Sequence, residues 1–325
     1  MKAWTWERYG SPDTLTLRDV DEPAIAPDEV LVRVRAASVN PYDWRHLRAD
    51  PYLVRLSYGL RRPKAGLILG ADLAGVVERV GDEVTGFRPG DEVFGEVPLG
   101  SFAETVAVPQ DRLAVKPAGL SFEQAAAVSM AAHTALQGLR DVGQIEAGQR
   151  VLVHGASGGI GTFAVQLAKA FGAEVTAVCS TRNLELVRSL GADHVVDYTS
   201  TDFTQREERY DLLMDIVGDR SLAKLRSVLT PGGTLVIVGG IAASNRLLGP
   251  AAQILRGALV ARFVRHRVVS VSWKPNAKDL RFLAELMEAG RVTPVIDRTY
   301  AFTEVPEALR YLERRRARGK VAITV

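Results

Sequence analysis

The 325-residue chain carries 41 Lys plus Arg against 38 Asp plus Glu, so its formal net charge is only +3. A charge this small does not predict a nucleic-acid partner, and no run of about 18 apolar residues predicts a membrane span. The length exceeds that of a single hydrophobic core and predicts two domains. The single cysteine, Cys179, cannot form an intrachain disulfide, and the opening residues MKAWTWERYG do not resemble a secretory signal, so we expect a cytoplasmic protein.

The first 118 residues predict a small all-β unit. Apolar residues alternate with polar ones over short runs that Gly and Pro interrupt, and long helical periods are lacking. The predicted strands cover residues 15–18, 29–37, 75–80, 91–95 and 103–108.

A change of period at Ser121 marks the start of a different kind of structure. The run FEQAAAVSMAAHTALQGL has helical spacing, and beyond it apolar strand segments alternate with helical ones. Strands are predicted at 194–196, 211–217 and 234–238. This βα alternation predicts an open, mostly parallel sheet with helices on both faces over residues 119–268.

The most informative stretch is RVLVHGASGGIGTFAVQLAKAFGAEVTAVCST, residues 150–181. An apolar strand enters a glycine turn, a helical period covers 162–171, and a second buried strand covers 175–179. The turn reads Ala156-x-Gly158-x-x-Gly161, with alanine in place of the first glycine of G-x-G-x-x-G. Glycines here let a pyrophosphate approach the N–H groups at the helix start. Strand, turn, helix and second strand together predict a dinucleotide site.

The end of the second strand indicates which dinucleotide binds. An NAD site has an acid there to accept from the ribose 2′-hydroxyl, whereas an NADP site needs donors for the 2′-phosphate. This chain has Cys179 followed by Ser180, Thr181 and Arg182. Hydroxyls and a guanidinium suit a phosphate, so these residues predict NADP(H).

After about residue 268 the chain returns to strand-like segments, at 268–273 and 320–325, around helices predicted at 277–289 and 304–314. We therefore expect residues 1–118 and 269–325 to form one domain and residues 119–268 to form the other.

Several segments resemble the medium-chain dehydrogenase/reductase family over nearly the whole chain. Within it the chain is similar to the zinc-independent quinone oxidoreductase branch, which includes the reticulon-interacting oxidoreductases and bacterial NADPH enone reductases. The resemblance implies a GroES-like β-barrel domain plus a Rossmann domain with a doubly wound parallel sheet, and a homodimer. The segments that carry it are EVLVRVRAASVNPYDW, ILGADLAGVVERVGDEVTGFRPGDEVFG, HTALQGL, GQRVLVHGASGGIGTFAVQLAKAFGA and LGADHVVDY.

The zinc ligands of the family's alcohol dehydrogenases are replaced in this chain. Where those enzymes carry a Cys, the His of a GHE motif and a second Cys, this sequence has Asn40, Ala71 and Met130. These side chains do not supply three metal donors, so we expect no metal.

The resemblance also implies candidate catalytic residues. Asn40 matches the family's asparagine near the nicotinamide ribose and the substrate carbonyl, Tyr42 is a candidate acid, and Asp43 would orient its neighbours. Alternatively, Asn40-Pro41 is an ordinary turn and Tyr42 a core aromatic. The chain departs from the family over an insert at 45–64, where substrate specificity is set, and its Tyr52 and Tyr58 are candidates to cover the substrate.

Further cofactor contacts are implied at the glycine turn, around the 2′-phosphate and beside the nicotinamide. Thr134 would start a helix, and Ser272 and Trp273 would lie on the returning strand. The other implied contacts are Ser157, Gly158, Gly159, Ile160, Gly161, Ser180, Thr181, Arg182, Tyr198, Gly239, Gly240, Ile241 and Lys320.

Without a metal to polarise a simple ketone, the substrate must already have an electrophilic carbon. We therefore expect an NADP(H)-dependent oxidoreductase that transfers hydride to a conjugated carbonyl: a quinone or an α,β-unsaturated ketone or aldehyde. Two alternatives stay open, namely a specialised biosynthetic tailoring enzyme of the same fold and a cofactor-binding partner protein without catalytic activity.

Overall fold

The structure, a computed structural model, describes residues 1–239 and 251–325, so the predicted cofactor contacts Gly240 and Ile241 lie outside the described residues. The chain divides into two compact units. The first unit comprises Met1–His133, Lys274–Gly290 and Pro294–Val325, and the second comprises Thr134–Trp273 and Arg291–Thr293.

The strands, numbered along the chain, are β1 (Lys2–Trp6), β2 (Leu15–Asp19), β3 (Glu29–Val39), β4 (Asp72–Val80), β5 (Glu92–Glu96), β6 (Thr105–Pro109), β7 (Leu113–Val115), β8 (Arg150–His154), β9 (Glu174–Cys179), β10 (His194–Asp197), β11 (Tyr210–Asp215), β12 (Leu229–Ile237), β13 (Arg267–Ser270), β14 (Ile296–Ala301) and β15 (Lys320–Thr324).

The helices are α1 (Pro41–Arg48), α2 (Val54–Tyr58), α3 (Phe122–Ala126), α4 (Ser129–Gln137), α5 (Gly159–Ala170), α6 (Leu184–Ser189), α7 (Leu222–Ser227), α8 (Ala251–Ala261), α9 (Ala277–Glu288) and α10 (Val305–Glu313). In the described part of the chain, none of them has the length and apolar character that a bilayer crossing requires.

The first unit is built on a largely antiparallel sheet with the order β14-β15-β3-β4-β5-β7, in which β6 also pairs with β3. The long central strand β3 contributes Val30, Val32 and Val34 to one core cluster, together with Leu73 and Val93 from neighbouring strands. The pairing sets Ser38 of β3 opposite Asp72 of β4, and Asp72 in turn opposite Glu96 of β5. Polar side chains from three strands therefore gather at one end of the sheet.

The prediction that residues 1–118 are all-β was wrong in one respect, because this region contains the helices α1 and α2. Helix α1 begins after Asn40 with Pro41 at its first position, and the side chain of Asp43 accepts a hydrogen bond from the backbone N–H of Asn40. Proline fits the first turn of a helix, where its missing N–H would have no partner. The helix ends at Ala49, which has a φ of 50°. Eight residues are too few to show a clear helical period in the sequence.

The second unit contains a six-stranded parallel sheet with the order β10-β9-β8-β11-β12-β13. Counted from its first strand, this is the 3-2-1-4-5-6 order of a Rossmann fold, so the predicted doubly wound sheet is confirmed. Because the strands are parallel, the ends of β8, β9, β10 and β11 lie at the same edge. Ligands of such sheets bind outside this carboxyl edge.

Helix α5 begins at Gly159, three residues before the helical period predicted at 162. The glycines in its first turn carry no side chain, so they do not contribute to an apolar period. At Gly161 a side chain is excluded, because a Cβ there would collide with the carbonyl oxygen of Gly155. Gly155 itself has a φ of 93°, which favours glycine.

Candidate active site

A buried cluster in the first unit joins Asn40, Asp72 and Lys320, which lie at the end of β3, the start of β4 and the start of β15. The ammonium of Lys320 donates to Asn40 Oδ1 and lies 3.1 Å from Asp72 Oδ2. The amide Nδ2 of Asn40 donates to the same carboxylate oxygen at 2.9 Å. Asp72 is completely buried, and the other two side chains are 3% exposed. The ion pair is thus shielded from water, and each side chain contacts the other two.

Asp72 is the centre of this cluster. Its Oδ2 also accepts from the hydroxyl of Ser38 at 2.8 Å, and its Oδ1 accepts from the backbone N–H of Met130 at 3.0 Å. A buried carboxylate is tolerated when it is paired and its lone pairs are satisfied, and both conditions hold here. One of the two Nδ2 hydrogens of Asn40 is bound to Asp72, which leaves the other for a further acceptor.

The three positions that the sequence aligned with zinc ligands, Asn40, Ala71 and Met130, all adjoin Asp72: Asn40 and Met130 by hydrogen bonds and Ala71 along the chain. A lysine ammonium is the cation that contacts the Asp72 carboxylate. Among residues 1–239 and 251–325, no group of three His, Cys, Asp or Glu side chains is arranged to hold a metal ion.

Tyr42, in the first turn of α1, is largely buried and forms a hydrogen bond with Tyr58. Burial raises the pKa of Tyr42 strongly, and Tyr58, Asp43 and Glu96 raise it further. The ring of His46 lies 3.9 Å from that of Tyr42, centroid to centroid, and His46 Nδ1 contacts the Tyr42 carbonyl oxygen at 2.7 Å. A phenol with so high a pKa is a poor proton donor but a good neutral hydrogen-bond donor. Tyr58 belongs to α2, which lies within the insert at 45–64, so the insert contacts the candidate residue Tyr42.

Asp43 is buried without full hydrogen bonding. Its Oδ2 accepts from the backbone N–H of Asn40 at 2.6 Å, whereas Oδ1 has no hydrogen-bond partner in the described part of the chain. Burial raises the pKa of Asp43 to about 8; the Asn40 N–H lowers it, and nearby Asp72 raises it further. The carboxyl is therefore mainly protonated at neutral pH.

Replacing Asp43 with asparagine should stabilise the protein increasingly as the pH rises from about 5 to about 8. The folded wild-type protein binds the carboxyl proton of Asp43 more tightly than the unfolded chain does. The stability that this proton contributes is therefore complete below about pH 4 and is lost as the pH approaches 8. Asparagine has no proton to lose. The difference in unfolding free energy between variant and wild type should therefore grow by at least about 2 kcal/mol.

Urea unfolding at several pH values measures this difference. The matched control is Asp21→Asn, which makes the same substitution at an exposed aspartate and reports what the loss of a surface carboxylate does to stability. A difference for Asp43→Asn that did not grow with pH would contradict a protonated carboxyl.

A second buried acid–base pair was not predicted from the sequence. Glu96 Oε1 lies 2.6 Å from His133 Nδ1, and both side chains are at most 1% exposed. The other ring nitrogen of His133 contacts the carbonyl oxygen of Asn276 at 3.2 Å and, since a carbonyl only accepts, must carry a hydrogen. Because Glu96 stands opposite Asp72 on the adjacent strand, two neighbouring buried acids are each in contact with a basic side chain.

In the second unit, the predicted cofactor residues occupy the carboxyl edge of the parallel sheet. Ser157 and Gly158 precede α5, and Gly159, Ile160 and Gly161 form its first turn. The first N–H groups of a helix have no partner within it, so this turn presents donors and a positive dipole end. Ser180 follows β9 and precedes the short 3₁₀ turn Thr181–Asn183.

Asn183, which was not among the predicted site residues, connects these two segments. Its Nδ2 donates to the hydroxyl oxygen of Ser157 at 2.8 Å and to that of Ser180 at 3.3 Å. The side chain is only 4% exposed. No motif pointed to it, because the serine on the other side of the contact is 26 residues away in the sequence.

The end of β10 brings a carboxylate to the same edge, because Asp197 pairs with Cys179. The hydroxyl of Thr181 donates to Asp197 Oδ2 at 2.6 Å. The hydroxyl and backbone N–H of Thr199 donate to Oδ1 at 2.7 and 2.9 Å. Asp197 is therefore already bound by three donors. The neighbouring Tyr198 is 50% exposed.

Among the other predicted contacts, Thr134, Ser272 and Trp273 lie in different surroundings from those expected, whereas Gly239 follows a strand as expected. Thr134 lies in the middle of α4, not at the start of a helix. Strand β13 ends at Ser270, so Ser272 and Trp273 follow it and do not belong to it. Gly239 lies just after β12, with a φ of 113°. Lys320 is bound within the cluster of the first unit described above.

Comparison with known proteins supports both halves of the fold. A family model described as an alcohol dehydrogenase GroES-like domain matches residues 26–118, and one described as a zinc-binding dehydrogenase matches residues 190–323. The first match confirms the predicted GroES-like domain.

The relatives are similar in sequence over the whole chain. The 2-methylene-furan-3-one reductase of Solanum lycopersicum is 37% identical over 99% of this chain and 79% of its own length. The mitochondrial NAD(P)H oxidoreductase RTN4IP1 of Homo sapiens is also 37% identical, over 100% of this chain and 89% of its own length. The solved quinone oxidoreductase of Coxiella burnetii superposes with a TM-score of 0.85 at 30% identity, covering 100% of this chain and 99% of that one. With the Rossmann strand order and the GroES-like match, these similarities show that the chain belongs to the medium-chain dehydrogenase/reductase family of nicotinamide-dependent oxidoreductases.

Proposed function

We propose that this protein is an NADPH-dependent, zinc-independent reductase of conjugated carbonyls. The observation that carries the proposal is the buried Asn40–Asp72–Lys320 cluster. Asn40 stands at one of the positions aligned with the family's zinc ligands, and Ala71 and Met130, at the other two, adjoin Asp72 along the chain and through a hydrogen bond. Without a Lewis acid, the substrate must supply its own electrophilic carbon, as quinones and α,β-unsaturated ketones and aldehydes do. The compound in the tomato relative's name is an exocyclic enone of this kind.

The choice of NADPH rests on the residues at the edge of the Rossmann sheet. The first turn of α5 presents its N–H groups to a pyrophosphate, and Gly161 lets the helix pack closely against the preceding turn, because a Cβ there would collide with the Gly155 carbonyl oxygen. Ser180 and Arg182 offer donors beyond β9, where an NAD enzyme would have an acid. The nearby Asp197 is already held by Thr181 and Thr199, so it is poorly placed to take up a ribose hydroxyl.

The nicotinamide, when bound, supplies a hydride to the β-carbon of the substrate. Asn40 can offer its remaining amide hydrogen to the oxygen on which negative charge develops, while Lys320 and Asp72 fix the orientation of that amide. Asp43 orients Asn40 by accepting a hydrogen bond from its backbone N–H. Since Tyr42 holds its proton too strongly, we assign protonation of the enolate to solvent.

We further propose that the GroES-like domain binds the substrate, that the Rossmann domain binds the cofactor, and that the protein is a cytoplasmic homodimer. The human relative is named as mitochondrial, and cell fractionation of this protein tests the cytoplasmic location.

Turnover of a small substrate panel tests the function. NADPH oxidation should be fast with a naphthoquinone, a linear enone or an enal and absent with a simple ketone, in protein that contains much less than one zinc per chain. NADPH binding without turnover of any conjugated acceptor would refute the proposal and favour a specialised tailoring enzyme or a non-catalytic partner protein. One tightly bound zinc per chain would refute the metal-free reaction.

A further inference from the structure

Asn183 lies buried between two hydroxyls that belong to different parts of the cofactor edge. One is on Ser157, in the turn before α5, and the other is on Ser180, just after β9. The backbone N–H of Asn183 also bonds to the carbonyl oxygen of Ser180 at 2.9 Å. The glycine turn and the end of β9 are thus linked through one side chain.

The direction of these hydrogen bonds determines what the serines can offer. In both contacts Asn183 Nδ2 is the donor and the serine oxygen is the acceptor. A hydroxyl that accepts in this way keeps its own hydrogen for another acceptor. Asn183 therefore leaves Ser157 and Ser180 each with an O–H to donate.

Phosphate oxygens are acceptors, and they take strong hydrogen bonds from such donors. We propose that Asn183 is a specificity-determining positioning residue, which directs the hydroxyl of Ser157 to the pyrophosphate and that of Ser180 to the 2′-phosphate of an adenine dinucleotide. The inference rests on the cofactor choice made in the proposed function, and it adds a residue that does not itself touch the reacting atoms.

The remaining amide atom argues against a purely structural role. Asn183 Oδ1 is buried and has no hydrogen-bond partner in the described residues. Burying an unpaired carbonyl oxygen is unfavourable, and an apolar side chain of similar size would avoid that cost. What the amide provides and an apolar side chain would not are the two N–H groups that donate to the serine hydroxyls.

Dissociation constants for NADPH and NADH, measured by fluorescence titration, test the proposal without any turnover. Asn183→Ala should weaken NADPH about tenfold and NADH about threefold, because NADH keeps only the Ser157 contact. Asn183→Asp should weaken NADPH further, since a carboxylate would take both serine hydrogens and add negative charge. In each variant, the affinity for adenosine 2′,5′-bisphosphate should fall in parallel with the affinity for NADPH, and the affinity for ADP should fall in parallel with the affinity for NADH.

The Ser180→Ala background isolates the 2′-phosphate. There, adding Asn183→Ala should weaken NADPH and NADH by the same factor. The matched control is Asn276→Ala, which removes the side-chain bond at the start of α9 in the first unit and should leave the NADPH to NADH ratio unchanged.

Equal weakening of both cofactors by Asn183→Ala, or NADPH binding by Asn183→Asp as tight as in wild type, would overturn the inference while leaving the proposed reduction untouched. Conversely, absence of enone turnover would refute the proposed function but not this inference, because the titrations measure binding alone. Failure of the wild-type protein to bind NADPH would refute both.

Discussion

Replacing Arg182 with alanine should raise the dissociation constant of NADPH about 30-fold and that of NADH less than about threefold. Arg182 lies in the exposed 3₁₀ turn that directly follows β9, at the edge where the adenine ribose of a Rossmann dinucleotide lies. A guanidinium there meets the 2′-phosphate with charge-assisted hydrogen bonds, whereas NADH offers only a hydroxyl. Titration of both cofactors measures the effect, and KM values for each should follow the same pattern.

Arg188→Ala is the matched control for this variant. Arg188 lies on the adjacent helix α6, is exposed, and pairs with Glu185 at 2.6 Å. Its removal lowers the net charge equally, so it reports what a general loss of positive charge does to cofactor binding. If the two variants weakened NADPH to the same extent, or if Arg182→Ala weakened NADH as much as NADPH, Arg182 would have no specific part in recognising the 2′-phosphate.

The Rossmann half was predictable because its signals are local. The apolar strand of β8, the glycine turn and the helical period of α5 follow one another within 150–170. Only the start of α5 was predicted too far along the chain, because glycines have no side chain that could contribute to a helical period. The helix α1 was missed for a related reason: its eight residues hold three basic side chains, and its start depends on a capping contact between Asn40 and Asp43.

The polar pairs of the first unit could not be predicted from the sequence. Lys320 and Asp72 are 248 residues apart, and only the pairing of β15 with β3 and of β3 with β4 brings them together. The Glu96–His133 pair likewise depends on the register of β5 against β4 and on the position of α4. Each residue alone was compatible with an ordinary surface or structural role.

Replacing Lys320 with methionine should lower the free energy of unfolding by about 3–5 kcal/mol. Methionine is of similar length and preserves packing, but it leaves the completely buried carboxylate of Asp72 without its cation. The hydrogen bonds from Ser38, Asn40 and Met130 remain and cannot neutralise the charge. Urea unfolding at neutral pH measures the loss. The matched control is Lys116→Met, which also removes a buried ammonium, together with its bonds to the carbonyl oxygens of Pro117 and Leu120. Its partner Glu92 is half exposed, so that carboxylate stays hydrated and the loss should be smaller than for Lys320→Met.

The double variant Lys320→Met with Asp72→Asn separates charge from shape. If an uncompensated charge is the cause, the second substitution should restore most of the stability that the first removes, because asparagine is nearly isosteric with aspartate and neutral. A double variant as unstable as Lys320→Met alone would mean that the ammonium is needed for its bonds rather than its charge. Recovery of stability without recovery of turnover would separate two roles of Lys320: balancing Asp72, which asparagine makes unnecessary, and orienting the amide of Asn40, which only the ammonium can do.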